Sequence, residues 1–362
     1  MVKHTDDPTK NCKVTFIIGN GFDLNLGLKT KYTDMYEGYI KEPSIIGYID
    51  EFKKTLQNQI PYEKWGDFEL GMAKHAKNFS SEKQLIECVR DFKRYLVNYL
   101  KGEENKLEET LSNITNTMPI NMELDNSFKH FYSGLIPNDA RVIESIMNNK
   151  MIDVNIITFN YTDCMERLLD YGSRPFVLTT HSPIHIHGKL NEDVVLGADN
   201  LAQLNEIPYT LTKKGKRAFL KPEFNERYDT KRLDDTVNTL YASDIICTYG
   251  FSMGETDKMW VDIIIDWLME SPSHHLICFQ YDETEYHRYN SDEIMDAEDE
   301  KKIELLKRFG KENEELLNQI HIPIGYSIFN LKNAIFKSSK DSVEFDPKKT
   351  YENKTYALNG AS

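Results

Sequence analysis

Apolar positions along the chain change period several times, and the changes divide it. The run Lys13-Val14-Thr15-Phe16-Ile17-Ile18 is rich in β-branched residues and breaks into Gly19-Asn20-Gly21, as a buried strand ending in a tight turn does. From residue 33 to about 111, apolar residues recur three and four apart (Phe52 and Leu56; Leu85, Val89, Phe92 and Leu96) between charged faces, which predicts helices interrupted at Trp65-Gly66-Asp67-Phe68-Glu69. Residues 113–126 are polar, hold Pro119 and read as a loop, and helical spacing resumes over 128–147. Residues 153–160 return to a buried-strand pattern that ends in Asn160, with a helix starting near Cys164. Further short strands are expected at 176–178, 184–187 and 194–197, and a mixed, helix-leaning stretch at 200–240. A strand over 244–250 ends in glycine, ahead of an amphipathic helix at 259–269 and a strand at 275–279. Residues 283–318 are charged and helical, and the chain beyond Ser338 is polar.

Apolar strands that alternate with helices predict an α/β fold, here a Rossmann-like, mainly parallel sheet. Its core would comprise residues 12–34 and 151–282. A large helical insertion fills 35–150, a helical segment 283–337, and a polar tail 338–362.

Composition narrows the function classes. With 362 residues, 40% of them hydrophobic, the chain can bury a large core. Acids outnumber bases 58 to 44, for a net charge of −14, which disfavours a protein built to neutralise nucleic-acid phosphates. Lys213, Lys214, Lys216, Arg217 and Lys221 form the one basic stretch against that trend. The five cysteines are far apart with no C-x-x-C pair, which argues for a reducing setting and against a structural zinc module. No apolar run is long enough to span a bilayer and the first residues carry no signal core, so a cytoplasmic location is expected.

Candidate chemistry collects at strand ends. Gly19-Asn20-Gly21-Phe22-Asp23, Thr158-Phe159-Asn160-Tyr161-Thr162-Asp163 and Tyr249-Gly250-Phe251-Ser252 each place glycine or compact polar residues where a strand stops. In an open parallel sheet, ligands bind beyond those carboxyl ends. Gly19 and Gly21 lack the third glycine of a dinucleotide fingerprint. His185 and His187, two apart, would share one strand face. They read as a structural pair, a metal site or a general base, and no third ligand in metal spacing supports the metal.

The ordered set G-N-G-F-D-x-x-x-G-L-K-T-x-Y, W-G-D-F-E, T-F-N-Y-T-D-x-x-E, H-I-H-G and Y-G-F-S-M-G-x-x-D, running from about residue 14 to 280, resembles the AbiH family of bacterial abortive-infection proteins, which look like divergent members of the SIR2 (sirtuin-like) NAD-binding superfamily. The resemblance implies an antiphage defence protein that binds NAD and hydrolyses it to nicotinamide and ADP-ribose. A sensor or scaffold that binds a nucleotide without turnover, and an ADP-ribosyl transferase, remain open. It implies Asn160 and His187 as catalytic, Asn160 orienting water or the nicotinamide ribose and His187 acting as base on the ribose hydroxyls. Gly19, Asn20, Gly21, Asp23, Thr30, Tyr32, Gly250 and Ser252 would contact the cofactor. No metal is expected. The implied partners are NAD or a related nucleotide, a phage-derived activator and further copies of the chain, with neither membrane nor nucleic acid. The four-cysteine zinc module of deacylating sirtuins is absent, which argues against protein deacylation. Asp257 is part of the motif set but receives no role, and Trp65, Asp67 and Glu69 are read as anchors for the inserted helices.

Overall fold

Strand β1 (Asn11–Ile18) runs through the middle of a parallel sheet, flanked by β2 (Met151–Thr158) and β5 (Ile245–Tyr249). The computed structural model describes residues 11–338 apart from 60–67, 172–178, 205–206, 255–256, 281–289, 309 and 311–313. On one side β5 leads to β6 (His275–Phe279) and β7 (Ile320–His321). On the other, two short strands, β3 (Thr179–Thr180) and β4 (Ile184–His185), pair in succession along the free edge of β2. All of these pairings are parallel, so the α/β, Rossmann-like expectation holds. The chain leaves β1 toward β2 and leaves β5 toward β6. The gap beyond the carboxyl ends of β1 and β5 is therefore the topological switch point, where such sheets take their ligands.

Both faces of β1 are buried, which explains its near-continuous apolar run. Val14, Phe16 and Ile18 face one core and Ile17 the other. A five-residue helix, α1 (Gly21–Asn25), follows β1. The insertion then supplies α2 (Tyr32–Lys41), α3 (Gly47–Gln59), α4 (Phe68–His75), α5 (Glu82–Ser112), α6 (Met118–Lys129) and α7 (Pro137–Met147). It divides in two. Helices α2 to α5 share a core around Tyr39, Phe52 and Phe92 that also takes in Tyr161, Leu196 and Phe219 from beyond β2, whereas Phe128 of α6 and Phe131 pack edge-on against Phe16 of β1. Beyond β2 come α8 (Cys164–Asp170), α9 (Lys213–Phe219), α10 (Lys221–Tyr228), α11 (Thr230–Tyr241), α12 (Lys258–Glu270), α13 (Ser291–Arg308) and α14 (Leu331–Ser338). Among the described residues no helix is long and apolar enough to cross a membrane.

Several local expectations change. Residues 113–126, expected as a loop, hold most of α6, whose Pro119 sits in the first turn. Proline is tolerated there because the N–H it lacks would have no helical partner. Residues 194–197 form no strand; isolated bridges, Gly188 to Val194 and Ala198 to Leu220, flank them, and Val195 N–H bonds the His187 carbonyl at 2.8 Å. Strand β4 stops at His185, which leaves His187 in a turn rather than on the same strand face. The sheet also extends to β7, which two residues of apolar pattern did not reveal. The strand expected at 176–178 and the tail beyond 338 lie outside the described residues.

Candidate functional site

The turns after β1 and β5 meet directly at the switch point. A Cβ on Gly19 would lie 2.4 Å from the Gly250 carbonyl oxygen, and one on Gly21 2.5 Å from the Gly250 Cα. Gly250 has φ of +62° and a Cβ there would meet Gly21 Cα at 2.4 Å. Only three glycines permit this contact. It also occupies a donor, because Gly21 N–H bonds the Gly250 carbonyl at 3.2 Å. Three residues on, Met253 holds φ of +51° while buried, a strained conformation of the kind that clusters at functional sites.

The next strand end supplies a hydrogen-bonded polar cluster. Asp23, on α1 and 2% exposed, accepts the Asn160 side-chain Nδ2–H at 3.0 Å and the Thr162 hydroxyl at 2.6 Å. Burial pushes the Asp23 carboxyl up to about 7, against the pull of those two hydrogen bonds. Asn160 is thereby held by its amide nitrogen, and its Oδ1 is left to act as an acceptor. The same residue is fixed from behind: its N–H bonds Thr158 Oγ1, and its carbonyl oxygen meets His185 Nδ1 at 3.0 Å. His185 Nε2 in turn reaches Glu166 Oε1 at 2.6 Å. Burial opposes ionisation of Glu166, but His185 and Lys189 outweigh it and hold the carboxyl down at about 2. His185 therefore supports the backbone of Asn160.

His187 flanks the same strand end. Its ring stands edge-on to Phe159 at 5.2 Å and lies 6.0 Å from Tyr161, while Phe251 stacks on the Phe159 ring at 4.1 Å. Nε2 is buried 3.4 Å from Asp257 Oδ1 without the alignment of a hydrogen bond. Asp257 is 3.1 Å from the ammonium of Lys221, which is 2.6 Å from Glu69 of the inserted helix α4. One buried ammonium thus lies between the buried carboxylate of Glu69 and the partly exposed carboxylate of Asp257. Burial works against the charge of Lys221, yet Asp257 and Glu69 hold its pKa above the lysine range. Lys221 and His187 keep Asp257 well below the carboxylate range despite its burial, whereas burial pushes Glu69 up.

The remaining predicted residues lie along the first turn. Thr30 donates to Asn20 Oδ1, and Tyr32 is hydrogen-bonded to Tyr161. The long helix α5 pins both walls: Glu103 accepts Lys29 N–H at 2.9 Å and Glu104 accepts Asp163 N–H at 2.8 Å. Ser252 is exposed beyond Phe251. The structure therefore groups Asp23, Asn160 and Thr162 in one cluster, His187 beside it, and Gly19, Gly21 and Gly250 in the floor between β1 and β5. An open cavity of about 500 Å³, lined by residues such as Lys129, His130 and Lys150, lies by the start of β2 and includes none of them.

Sequence reasoning missed the charged line behind His187. By sequence Glu69 reads as an anchor, Lys221 as one of a basic stretch, and Asp257 carries no role. Lys221 is 5% exposed and no part of a surface. The available signal was that Glu69 and Asp257 both fall inside the ordered motif set.

A parallel sheet with polar side chains gathered at the carboxyl ends of its central strands defines an α/β protein of Rossmann-like architecture. The model of the family described as bacteriophage abortive infection AbiH matches residues 15–279, and the chain belongs to that family. Its role accordingly lies in abortive-infection defence against bacteriophage. A search of curated proteins finds no significant match.

Proposed function

We propose that the crevice is a SIR2-like site that binds NAD and cleaves its nicotinamide–ribose bond, so that an infected cell is depleted of NAD. The observation that carries this reading is Asn160, held through Nδ2 by Asp23 at 3.0 Å, which leaves its amide oxygen out of that bond, with the His187 ring against the two residues that flank it, Phe159 and Tyr161. Breaking the C–N bond sends its electron pair to nicotinamide and leaves an oxocarbenium-like ribose. The Asn160 carbonyl offers negative partial charge to that state and a hydrogen-bond acceptor to the attacking water. Water adds to the ribose carbon, and His187 takes up the proton that the water or a ribose hydroxyl releases. The products are nicotinamide, ADP-ribose and one proton.

The test is chromatography of nicotinamide and ADP-ribose after incubation of purified protein with NAD, with and without lysate of phage-infected cells as a source of activator. Asn160→Ala and His187→Ala are expected to abolish release. Absence of both turnover and NAD binding overturns the reading. The tight glycine contact that occupies Gly21 N–H favours one alternative, a nucleotide held without turnover by a sensor that acts through a partner. Nucleotide binding without nicotinamide release would establish it.

A further inference from the structure

His187 and the three charges behind it are drawn from four separate elements: the turn after β4, the residue preceding α12, the first residue of α10, and α4 of the insertion. Burying three charged side chains together is costly. A buried ion pair seldom gains stability over apolar residues of the same volume, and removing one partner leaves an uncompensated charge. Such an arrangement beside a crevice therefore points to work rather than to stability. The order of the groups is specific. Glu69 also accepts the Gly197 N–H at 3.3 Å, which fixes its position, and it meets Lys221 Nζ at 2.6 Å. Lys221 Nζ meets Asp257 at 3.1 Å, and Asp257 faces only one of the two ring nitrogens of His187.

We propose that Asp257, held in place by Lys221 and Glu69, is the positioning residue for His187. Its carboxylate accepts a hydrogen bond from Nε2–H, orients the ring and leaves Nδ1 as the nitrogen that takes up a proton from the ligand. The proposal rests on the reading of His187 as the working base and adds to it the group that sets its tautomer. The separation of 3.4 Å is long for a hydrogen bond and Nε2 is otherwise unpartnered, the state expected of a catalytic pair that tightens when substrate closes the site. A histidine whose second nitrogen is held by a carboxylate has a fixed tautomer and orientation.

Among the described residues no competing partner is seen to face the ring. The rings of Phe159 and Tyr161 cover it, and the charged groups around it are Asp257, Lys221 and Glu69. Asp199 stands behind them, its carboxyl raised to about 6 by burial, where it accepts the Lys258 and Met259 N–H groups at the start of α12. Because Glu69 belongs to the insertion, the set of α4 is transmitted to the base through two ion contacts. The insertion is thereby part of the site.

The experiment is two-bond ¹H–¹⁵N correlation on the full chain labelled with ¹⁵N-histidine, the His187 signals being those lost in His187→Gln. The wild type is expected to show His187 as the Nε2–H tautomer. Asp257→Ala is expected to lose that preference, and Glu69→Gln to weaken it. In the turnover assay Asp257→Ala should lower kcat about 100-fold with little change in KM, which loss of folded protein alone would not imitate in the tautomer signal. Should Asp257→Ala fail to fold, Asp257→Asn, of the same shape, is read in the same way. An unchanged tautomer in a folded Asp257 variant overturns the proposal, whether or not NAD is cleaved. A tautomer that depends on Asp257 in a protein that cleaves no NAD upholds the positioning role and removes the function proposed for the crevice.

Discussion

Two histidine-containing polar clusters are buried at opposite ends of the sheet, and they are finished differently. At the far end His275 Nδ1 lies 3.0 Å from His321 Nε2, and His321 Nδ1 lies 2.7 Å from Asp139. Lys302 bridges Asp139 at 3.7 Å and Glu298 at 2.8 Å, and Glu298 accepts the Ile322 N–H at 3.2 Å. Asp139, Glu298 and His321 are close enough together to hold a cation, but the Lys302 ammonium already supplies the positive charge. This cluster is a closed staple joining α7, α13, β6 and β7. At the crevice end, His187 Nε2, Glu166 Oε2 and Asp199 Oδ2 are buried with no hydrogen-bond partner. Nearly all buried polar atoms in folded proteins are satisfied, so these unmade bonds set the crevice end apart from the far cluster, although Glu42 Oε2, Asn121 Oδ1 and Asp125 Oδ1 are unpartnered elsewhere. The difference between the two ends lies in what is left unpaired, since both have histidines and carboxylates.

The comparison can be broken most forcefully at the glycine floor. Gly250→Val places a Cβ 2.4 Å from Gly21 Cα at φ of +62°, and is expected to cost about 4 kcal/mol or more, enough to prevent folding at 37 °C. Urea denaturation measures it, and a stable variant would show that the floor yields. Next are the two buried lysines. Lys221→Met strands two carboxylates and should cost about 3–5 kcal/mol together with any NAD turnover. Lys302→Met should cost about 2 kcal/mol and leave turnover intact, because its cluster only joins elements. Equal effects on turnover would erase the distinction between site and staple.

The two ends should also answer pH with opposite sign. Asp23, raised from 3.8 to about 7, stays protonated in the folded state where the unfolded chain has released its proton. The folded state then binds more protons, so stability falls as pH rises from about 4 to 7. His275, lowered by burial from 6.5 to about 4, is neutral when folded where the unfolded chain is protonated. The folded state there binds fewer protons, so stability rises over nearly the same window. Urea midpoints between pH 4 and 8 for wild type, Asp23→Asn and His275→Gln should separate two opposed trends, each amounting to roughly 3–4 kcal/mol over its window at most. Identical slopes in both variants would refute the assignment. The smallest effect is expected at Ser252, which is exposed. Ser252→Ala should change stability by less than about 0.5 kcal/mol and, if the serine touches the nucleotide, raise KM about fivefold.

Much of the crevice was legible before the fold was known, for reasons local to the backbone. A β-branched run that stops at Gly19 is a strand and a turn wherever it occurs, and Asn160 and Gly250 mark strand ends in the same way. Proline misled at residue 119, since the residue type is equally at home in a loop and in the first turn of a helix. Period-two spacing misled at His187, since it applies only as far as the strand runs, and β4 ends at His185. Asp23 lies in the first turn as the sequence places it, but no local pattern shows that its carboxyl holds Asn160, a residue 137 positions away.

By itself the sequence determined where the strands stop, which turns need glycine and which motif set the chain carries, because period, propensity and steric freedom act within a few residues. The partner of each buried charge was decided by the tertiary structure. Lys221 reads as one base among several along the chain, and only the docking of α4, α10 and the start of α12 makes it the link between Glu69 and Asp257. The cost of burying a charge depends on what surrounds it in three dimensions, and no local pattern carries that information.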